Sequence, residues 1–429
     1  MIPDIEKSST ADIRAFQEKK LVETLAYLSK TSKFYRRHFE KHNVDIAEIT
    51  SLEYLSKIPT TTKEDLQLYN DDFICVPRNK IIDYVTTSGT LGDPVTFALS
   101  DKDLDRLAYN EAISFACAGI GENDVVQLMT TMDRRFMAGL AYFLGVRKLG
   151  AGIVRVGAGI PELQWDSILK FKPTYLITVP SFLLKLIAHA EKHGIDINNS
   201  GVKGAICIGE PLREQDFSLN TLSSKILSKW DIKLYSTYAS TEMNTAFTEC
   251  EYQIGGHHHP ELIIPEILDD NDNPVEQGEI GELTITTLGV EAMPLLRFKT
   301  GDMLRMHHET CKCGRNTPRL GPVLGRKKQM IKYKGTTLYP PAMGNILNDF
   351  SEVDCYIIEI SHNDIGTDEI TLRISAKTIS EQLLHNIKDH FRAKLRVTPK
   401  IQFHNKKEIL AMQFPEMSRK PINVIDKRT

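Results

Sequence analysis

Residues Tyr175–Ile208 read Y-L-I-T-V-P-S-F-L-L-K-L-I-A-H-A-E-K-H-G-I-D-I-N-N-S-G-V-K-G-A-I-C-I. The stretch opens on a short β-rich apolar run, Tyr175–Val179. It passes through a helical pattern at Phe182–His193 and closes on a second apolar run at Ala205–Ile208. The same alternation extends outward. Val125–Met129, Gly152–Val156 and Ile232–Tyr235 are further strand-like runs, and Phe136–Leu149 is helical in pattern. Strands alternating with helices predict an α/β fold, a mostly parallel sheet covered by helices. Ligands of such sheets gather at the carboxyl ends of the strands, so the loops after Ile208 and Tyr235 are where chemistry is expected.

Before this region, residues 11–41 read as helix, with Leu21, Leu25 and Leu28 on one face. Thr61-Thr62-Lys63-Glu64 has capping-box spacing. Ser100 is placed to cap a helix whose Leu104, Leu107, Ala108, Ala112 and Phe115 share a face. After Ser240 the pattern changes to strands at Leu262–Ile267, Glu282–Thr287 and Pro294–Phe298, a β-rich subdomain of about residues 245–323. Asp269–Pro274 resembles a calcium loop but lacks its glycine and its bidentate glutamate, so a polar turn is expected. The charged, strand-breaking Gly325–Gln329 marks a boundary. Strands at Cys355–Ile360 and Glu369–Ile374 and a helix at Ser380–Leu395 then predict a small α+β domain. The expected domains are 1–325, large, and 326–429, small.

The chain has 429 residues, 41% hydrophobic and 25% charged, an ordinary globular composition. Its net charge of −3 offers no basic field for nucleic acid or an anionic membrane. The opening M-I-P-D-I-E-K has no basic-then-apolar run, so no secretory signal is expected. The longest apolar stretch, Met137–Val146, is well short of the ~18 residues that a spanning helix needs. A cytoplasmic protein is expected. Seven scattered cysteines do not form a disulfide framework, and Cys75, Cys117, Cys207 and Cys355 read as buried reduced thiols.

Val85–Pro94, V-T-T-S-G-T-L-G-D-P, is a hydroxyl- and glycine-rich loop. Glycines let backbone N–H groups turn toward one point, a nest suited to phosphate, and Ser88 and Thr90 add side-chain donors. Four segments follow in order: Ile208-Gly209-Glu210-Pro211, Tyr238-Ala239-Ser240-Thr241-Glu242, Arg297-Phe298-Lys299-Thr300-Gly301-Asp302 at the end of a strand, and Leu324-Gly325-Arg326. Lys420 lies in the tail S-R-K-P-I-N-V-I-D-K-R-T.

In that order the segments resemble the core motifs of the adenylate-forming superfamily, the acyl-coenzyme A synthetases and their relatives. The details are most similar to the phenylacetate–coenzyme A ligase family. The resemblance implies a large domain with helix-covered sheets plus a small mobile lid. It also implies activation of a carboxylic acid, of aryl or arylacetic type, by attack on the α-phosphorus of ATP, followed by transfer to coenzyme A. By the same resemblance Ser88, Gly89, Thr90 and Gly92 hold the β- and γ-phosphates. Gly209, Glu210 and Pro211 border adenine, and Tyr238 stacks on it. Ala239 and Ser240 complete that segment, and Thr241 donates to the α-phosphate. Glu242 binds Mg²⁺. Asp302 accepts both ribose hydroxyls. Arg326 reaches ribose or phosphates from the hinge, and Lys420 brings a point charge to the carboxylate and α-phosphate. The lid then turns for thioester formation. Transfer to a carrier protein or an amine, and a non-catalytic nucleotide sensor, are the alternative readings. A homodimer is implied.

The chain departs from the family pattern at Asp93, in place of a loop lysine, at Lys328 and Gln329, in place of a hinge aspartate pair, and at Ala239, in place of glycine. Cys250 and His257, with the Cys311-Lys312-Cys313-Gly314 knuckle, resemble a structural Cys₃His zinc site, with His258 as the fallback ligand. Lys327, Lys328, Lys332 and Lys334 form with Arg326 a basic cluster that reads as a solvated face or as a phosphate contact.

Overall fold

The computed structural model describes residues 2–87, 94–333, 336–363, 367–415 and 421–428. Ser88, Gly89, Thr90, Gly92, Asp93, Lys334 and Lys420 lie outside the described residues. The chain divides into two units, Met1–Thr300 with Leu304–Val323, and Gly301–Met303 with Leu324–Thr429.

In the first unit, β1 (Ile81–Thr86) pairs antiparallel with β2 (Thr96–Ser100). A six-stranded sheet follows, made of β3 (Val125–Leu128), β4 (Gly152–Arg155), β5 (Tyr175–Thr178), β6 (Gly204–Ile208), β7 (Lys233–Ser240) and β8 (Thr245–Thr248). Its order is β4-β3-β5-β6-β7-β8, parallel except for the β7–β8 hairpin. Neighbouring residues along each strand go to opposite faces. Leu176, Ala205, Cys207 and Leu234 join a core with Trp165, Ile168, Leu183 and Leu186, from the helices Pro161–Phe171 and Pro180–His193. Ile177, Ile206 and Tyr235 join Phe115, Tyr142 and Val146, from the helices Asp101–Cys117 and Met137–Leu149. The period of two and two covered faces are what near-continuous apolar strands require.

The β-rich part holds β9 (Gly256–His257), β10 (Ile263–Leu268), β11 (Ile280–Thr287), β12 (Phe298–His307) and β13 (Arg319–Leu320), ordered β10-β11-β12-β13-β9. In the second unit β14 (Gly325–Arg326) pairs with Asp302–Met303 of β12. Beyond it β15 (Ile331–Tyr333) and β16 (Thr336–Leu338) form a ribbon. There β17 (Val353–His362), β18 (Asp368–Ala376), β19 (Lys400–Phe403) and β20 (Val424–Asp426) make a sheet of order β19-β18-β17-β20. The helices Pro340–Asn348 and Glu381–Leu395 contribute Met343, Ile346, Leu347, Leu383, Ile387 and Phe391 to its core.

Several expected boundaries move. The helix of residues 11–41 is two helices, Thr10–Thr31 and Lys33–Lys41, because Ser32 breaks the run and caps the second through its Oγ. The capping box is Thr62 with Asp65, one residue later than expected. Thr61 is buried instead, with its Oγ1 donating to the Leu296 carbonyl. Pro294–Phe298 is not a strand. The strand starts at Phe298 and runs through Asp302, since the buried Arg297 takes a left-handed φ of 45° and redirects the chain. Tyr238–Ser240 form the end of β7 rather than the loop after it. Gly325–Arg326 is itself a short strand. Cys75 and Cys355 are only partly buried.

Candidate active site and a cysteine–histidine cluster

Strands β6 and β7 lie side by side, with Ile208 opposite Thr237. That register sets Gly209-Glu210-Pro211 beside Tyr238-Ala239-Ser240-Thr241-Glu242 at the carboxyl edge of the sheet. Gly209 has a φ of 75°, a left-handed turn that glycine makes without steric cost. The Glu210 carboxylate accepts from the Ser181 N–H and from Ser181 Oγ, both at 2.8 Å. It therefore caps the helix Pro180–His193, where a negative charge meets the positive end of the dipole. Tyr238 packs one side against Phe247, with ring centroids 6.2 Å apart. Thr241 and Glu242 sit, partly buried, at the tip of the β7–β8 hairpin. Among the described residues the Glu242 carboxylate has no hydrogen bond or ion pair, and a hard cation takes such an oxygen donor.

The end of β1 meets the same edge of the sheet. The Thr86 N–H donates to the Arg135 carbonyl at 3.0 Å, in the loop after β3. Thr87 then pairs with Val95, its N–H reaching the Val95 carbonyl at 2.9 Å. The base of the Val85–Pro94 loop is thus fixed at the carboxyl side of the sheet. In the second unit Asp302 and Arg326 are opposite one another in the β12–β14 pair, with Arg326 Nε 3.6 Å from Asp302 Oδ1.

Two supports escape a reading of the sequence. Arg106, buried in the helix Asp101–Cys117, donates to the carbonyls of Leu288 (2.7 Å), Asn244 (2.5 Å) and Leu262 (2.5 Å) and to Thr245 Oγ1 (3.1 Å). It anchors the hairpin that carries Thr241 and Glu242. Burial lowers its guanidinium to about 10, which still leaves it charged at neutral pH. Arg213 and Glu249 form a buried pair at 2.7 Å, and Glu249 Oε2 also accepts from the Ser236 N–H at 2.8 Å. The pair ties the segment after β6 to β7. The signal for Arg106 is a cation followed directly by the core residues Leu107 and Ala108.

The second constellation is a cluster of Cys250, His257, Cys311 and Cys313, whose ligand atoms all lie within 4.8 Å of one another. Pairing of β9 with β13, His257 opposite Arg319, brings the histidine beside the strand that follows the knuckle. On its other side Gly256 permits a close approach of β9 to β8, since a Cβ there would lie 2.4 Å from the Phe247 carbonyl oxygen. Cys250 Sγ is 3.6 Å from Cys311 Sγ, and Cys313 Sγ is 3.4 Å from His257 Nε2. A tetrahedral zinc with Zn–S near 2.3 Å sets such edges at roughly 3.5–3.8 Å, so the donor set fits that ion. His257 Nδ1 faces Thr317 Oγ1 at 3.3 Å, which orients the ring. Arg315 Nη1 donates to Cys313 Sγ at 3.6 Å, and its Nε donates to Glu6 at 2.7 Å. Glu6 also meets His259 Nδ1 at 2.5 Å. Burial alone raises the Glu6 carboxyl, but His259 and Arg315 together outweigh it and hold the carboxyl below its ordinary value. His258, the fallback ligand, is turned away to the Ile263 carbonyl at 2.7 Å and lies outside the cluster.

Residues 29–292 match the model of the family described as AMP-binding enzyme. The chain belongs to the AMP-binding enzyme family. A phenylacetate-coenzyme A ligase of Thermus thermophilus is 30% identical over 390 residues, 90% of this chain and 85% of its own length. One from Escherichia coli is 26% identical over 419 residues, 94% and 93% of the two chains. The fold matches a 2-hydroxyisobutyryl-CoA ligase in the postadenylation state with a TM-score of 0.85, at 24% identity over 99% of this chain and 92% of that one. A benzoate CoA ligase from Burkholderia xenovorans matches with a TM-score of 0.60, at 16% identity over 81% and 68%. Among the described residues no helix is long and apolar enough to cross a membrane.

Proposed function

We propose that this protein is an ATP-dependent, AMP-forming carboxylate–coenzyme A ligase acting on an aryl or arylacetic acid. The observation that carries the reading is the β6–β7 register, which sets Gly209–Pro211 beside Tyr238–Glu242 at the carboxyl edge of a sheet in a chain of this family. A carboxylate is a poor acyl donor. Attack of its oxygen on the α-phosphorus of ATP forms the acyl-adenylate and releases pyrophosphate. Coenzyme A thiolate then attacks the acyl carbon and AMP leaves. The work of the protein is to position two anions and offset the charge that builds on the α-phosphate.

In this reading Ser88, Gly89, Thr90 and Gly92 cradle the terminal phosphates and Thr241 donates to the α-phosphate. Glu242 holds Mg²⁺ as a hard oxygen ligand. Tyr238 stacks on adenine, next to Gly209 and Pro211, while Ala239 and Ser240 line the approach. Asp302 takes the ribose hydroxyls and Arg326 braces it. Lys420 supplies the mobile positive charge from the small domain, residues 326–429, which turns between the two half-reactions. Cys250, His257, Cys311 and Cys313 hold zinc in a closed, structural site, since a four-ligand set leaves no position for substrate. The enzyme works in the cytoplasm as a homodimer.

Pyrophosphate exchange over a panel of aryl, fatty and short-chain acids, with free coenzyme A as acceptor, tests the reading. Exchange with aryl acids and thioester as the product are expected. Lys420→Ala should cut exchange by roughly 10²–10³-fold, with ATP binding largely kept. Protein that binds ATP but exchanges with none of the acids is a sensor. Product formed only with an amine or a carrier phosphopantetheine would reassign the acceptor.

A further inference from the structure

We propose that Arg428 is a positioning residue for adenylation. It bolts the turn Lys327–Gln329 to the strand that follows Lys420 in the sequence, so that turn and tail move as one body. The inference rests on the ligase reading above and goes beyond it.

All five N–H donors of Arg428 are engaged. Nη1 donates to the Met330 carbonyl at 2.8 Å and to Asp368 Oδ2 at 3.0 Å. Nη2 donates to the Lys328 carbonyl at 3.0 Å and to Asp426 Oδ2 at 2.7 Å, and Nε donates to Asp426 Oδ1 at 2.9 Å. The side chain is 13% exposed. Charge alone would be satisfied by the two carboxylates. The planar fork is used as well to collect two carbonyls from a turn about a hundred residues earlier, which a lysine cannot do. The turn is a three-residue 3₁₀ segment in which the Met330 N–H donates to the Lys327 carbonyl at 3.1 Å, and such short segments are weak alone. Asp368 Oδ2 also accepts from the Lys332 N–H at 2.7 Å, so the same carboxylate fixes the strand after the turn.

The other end of the tail is pinned as firmly. The Ile422 N–H donates to the Gln413 carbonyl at 2.8 Å. The largely buried Gln413 Nε2 donates to the Tyr356 carbonyl (3.0 Å) and to Asn423 Oδ1 (2.7 Å). Between these anchors β20 lies parallel to β17, with Ile358 opposite Val424 and Ile360 opposite Asp426. Lys420 stands two residues before Ile422 in the sequence. The strand β20 that follows it in the sequence is therefore fixed to the body of the small unit, and through Arg428 that body is fixed to the turn.

The test compares two half-reactions in Arg428→Ala and Arg428→Lys, using the full-length, metal-replete protein. One is pyrophosphate exchange. The other is thioester formation from a supplied acyl-adenylate and coenzyme A. A displaced catalytic group slows a reaction steeply, so both variants should lose roughly 10–100-fold in exchange. Thioester formation, which does not need Lys420, should change far less, and hydrogen exchange over residues 327–330 should speed up. Exchange at the wild-type rate in either variant would overturn the clamp, and full activity in Arg428→Lys would show that charge alone suffices. Equal loss in both half-reactions would reduce Arg428 to a merely structural role and overturn the proposal. If the alanine variant does not fold, the lysine variant decides. Wild-type protein that exchanges with no acid would sink the ligase reading instead.

Discussion

The cysteine–histidine cluster and the carboxyl edge of the parallel sheet belong to the same unit and are built in opposite ways. In the cluster, buried Cys250, His257 and Cys311 converge with Cys313, and further side chains aim the ligands, Thr317 onto His257 and Arg315 onto Cys313. At the edge, Thr241 and Glu242 stand on a hairpin tip, and the support acts on the backbone beneath them through Arg106. A four-ligand set with its orienting groups in place fits a closed, structural site. A site whose backbone is fixed while its carboxylate has no partner among the described residues is suited to an incoming ligand. The helix Asp101–Cys117 joins the two. Arg106 reaches the edge, and Cys117 packs on Cys250 and Cys311.

The largest expected effect comes from opening the closed site. With zinc in the cluster as proposed, Cys311→Ser should lose the metal and cost roughly 4 kcal/mol of stability, since a metal that binds only the folded site adds its binding energy to folding. Zinc content and denaturant unfolding read it. A variant as stable as the wild type would remove the contrast between the two regions.

A smaller effect comes from the connecting helix. Burial pushes the Glu111 carboxyl up to about 8, and its hydrogen bond from Asn110 offsets only part of this. The folded value lies above the ordinary 4.5. Between about pH 5 and 8 the unfolded chain therefore releases a proton that the folded chain keeps, and stability falls as pH rises through that window. Glu111→Gln should flatten the slope and be more stable than the wild type at pH 8 by roughly 3 kcal/mol. Parallel pH profiles for the two proteins would show that this acid ionises freely in the fold.

Much of the fold could be read from local pattern. The apolar runs from Val125 to Tyr235 alternate with helical spacing, and each run is a strand of the central sheet. Burial on both faces leaves that pattern in the chain. The knuckle at Cys311–Cys313 was visible because thiols at that spacing are rare without a use. What stayed hidden depends on partners far apart in sequence. Arg106 answers Asn244 and Leu262, and Glu6 answers His259 and Arg315. Each looks locally like any charged residue of a helix. The same limit misplaced the strand expected at Pro294–Phe298. Arg297 is held by Glu266 and by the carbonyls of Ser56 and Ile58, contacts that no local pattern announces. Glu210 shows the converse, for its motif pointed to adenine while its carboxylate caps a helix.

The most direct test of chemistry at the edge and structure at the cluster is pyrophosphate exchange by Glu242→Gln in zinc-replete protein. The expected result is a loss of roughly 10²–10³-fold, as for removal of one transition-state contact, with zinc content and unfolding midpoint unchanged. Exchange at the wild-type rate, or activity lost only together with zinc and stability, would contradict the account.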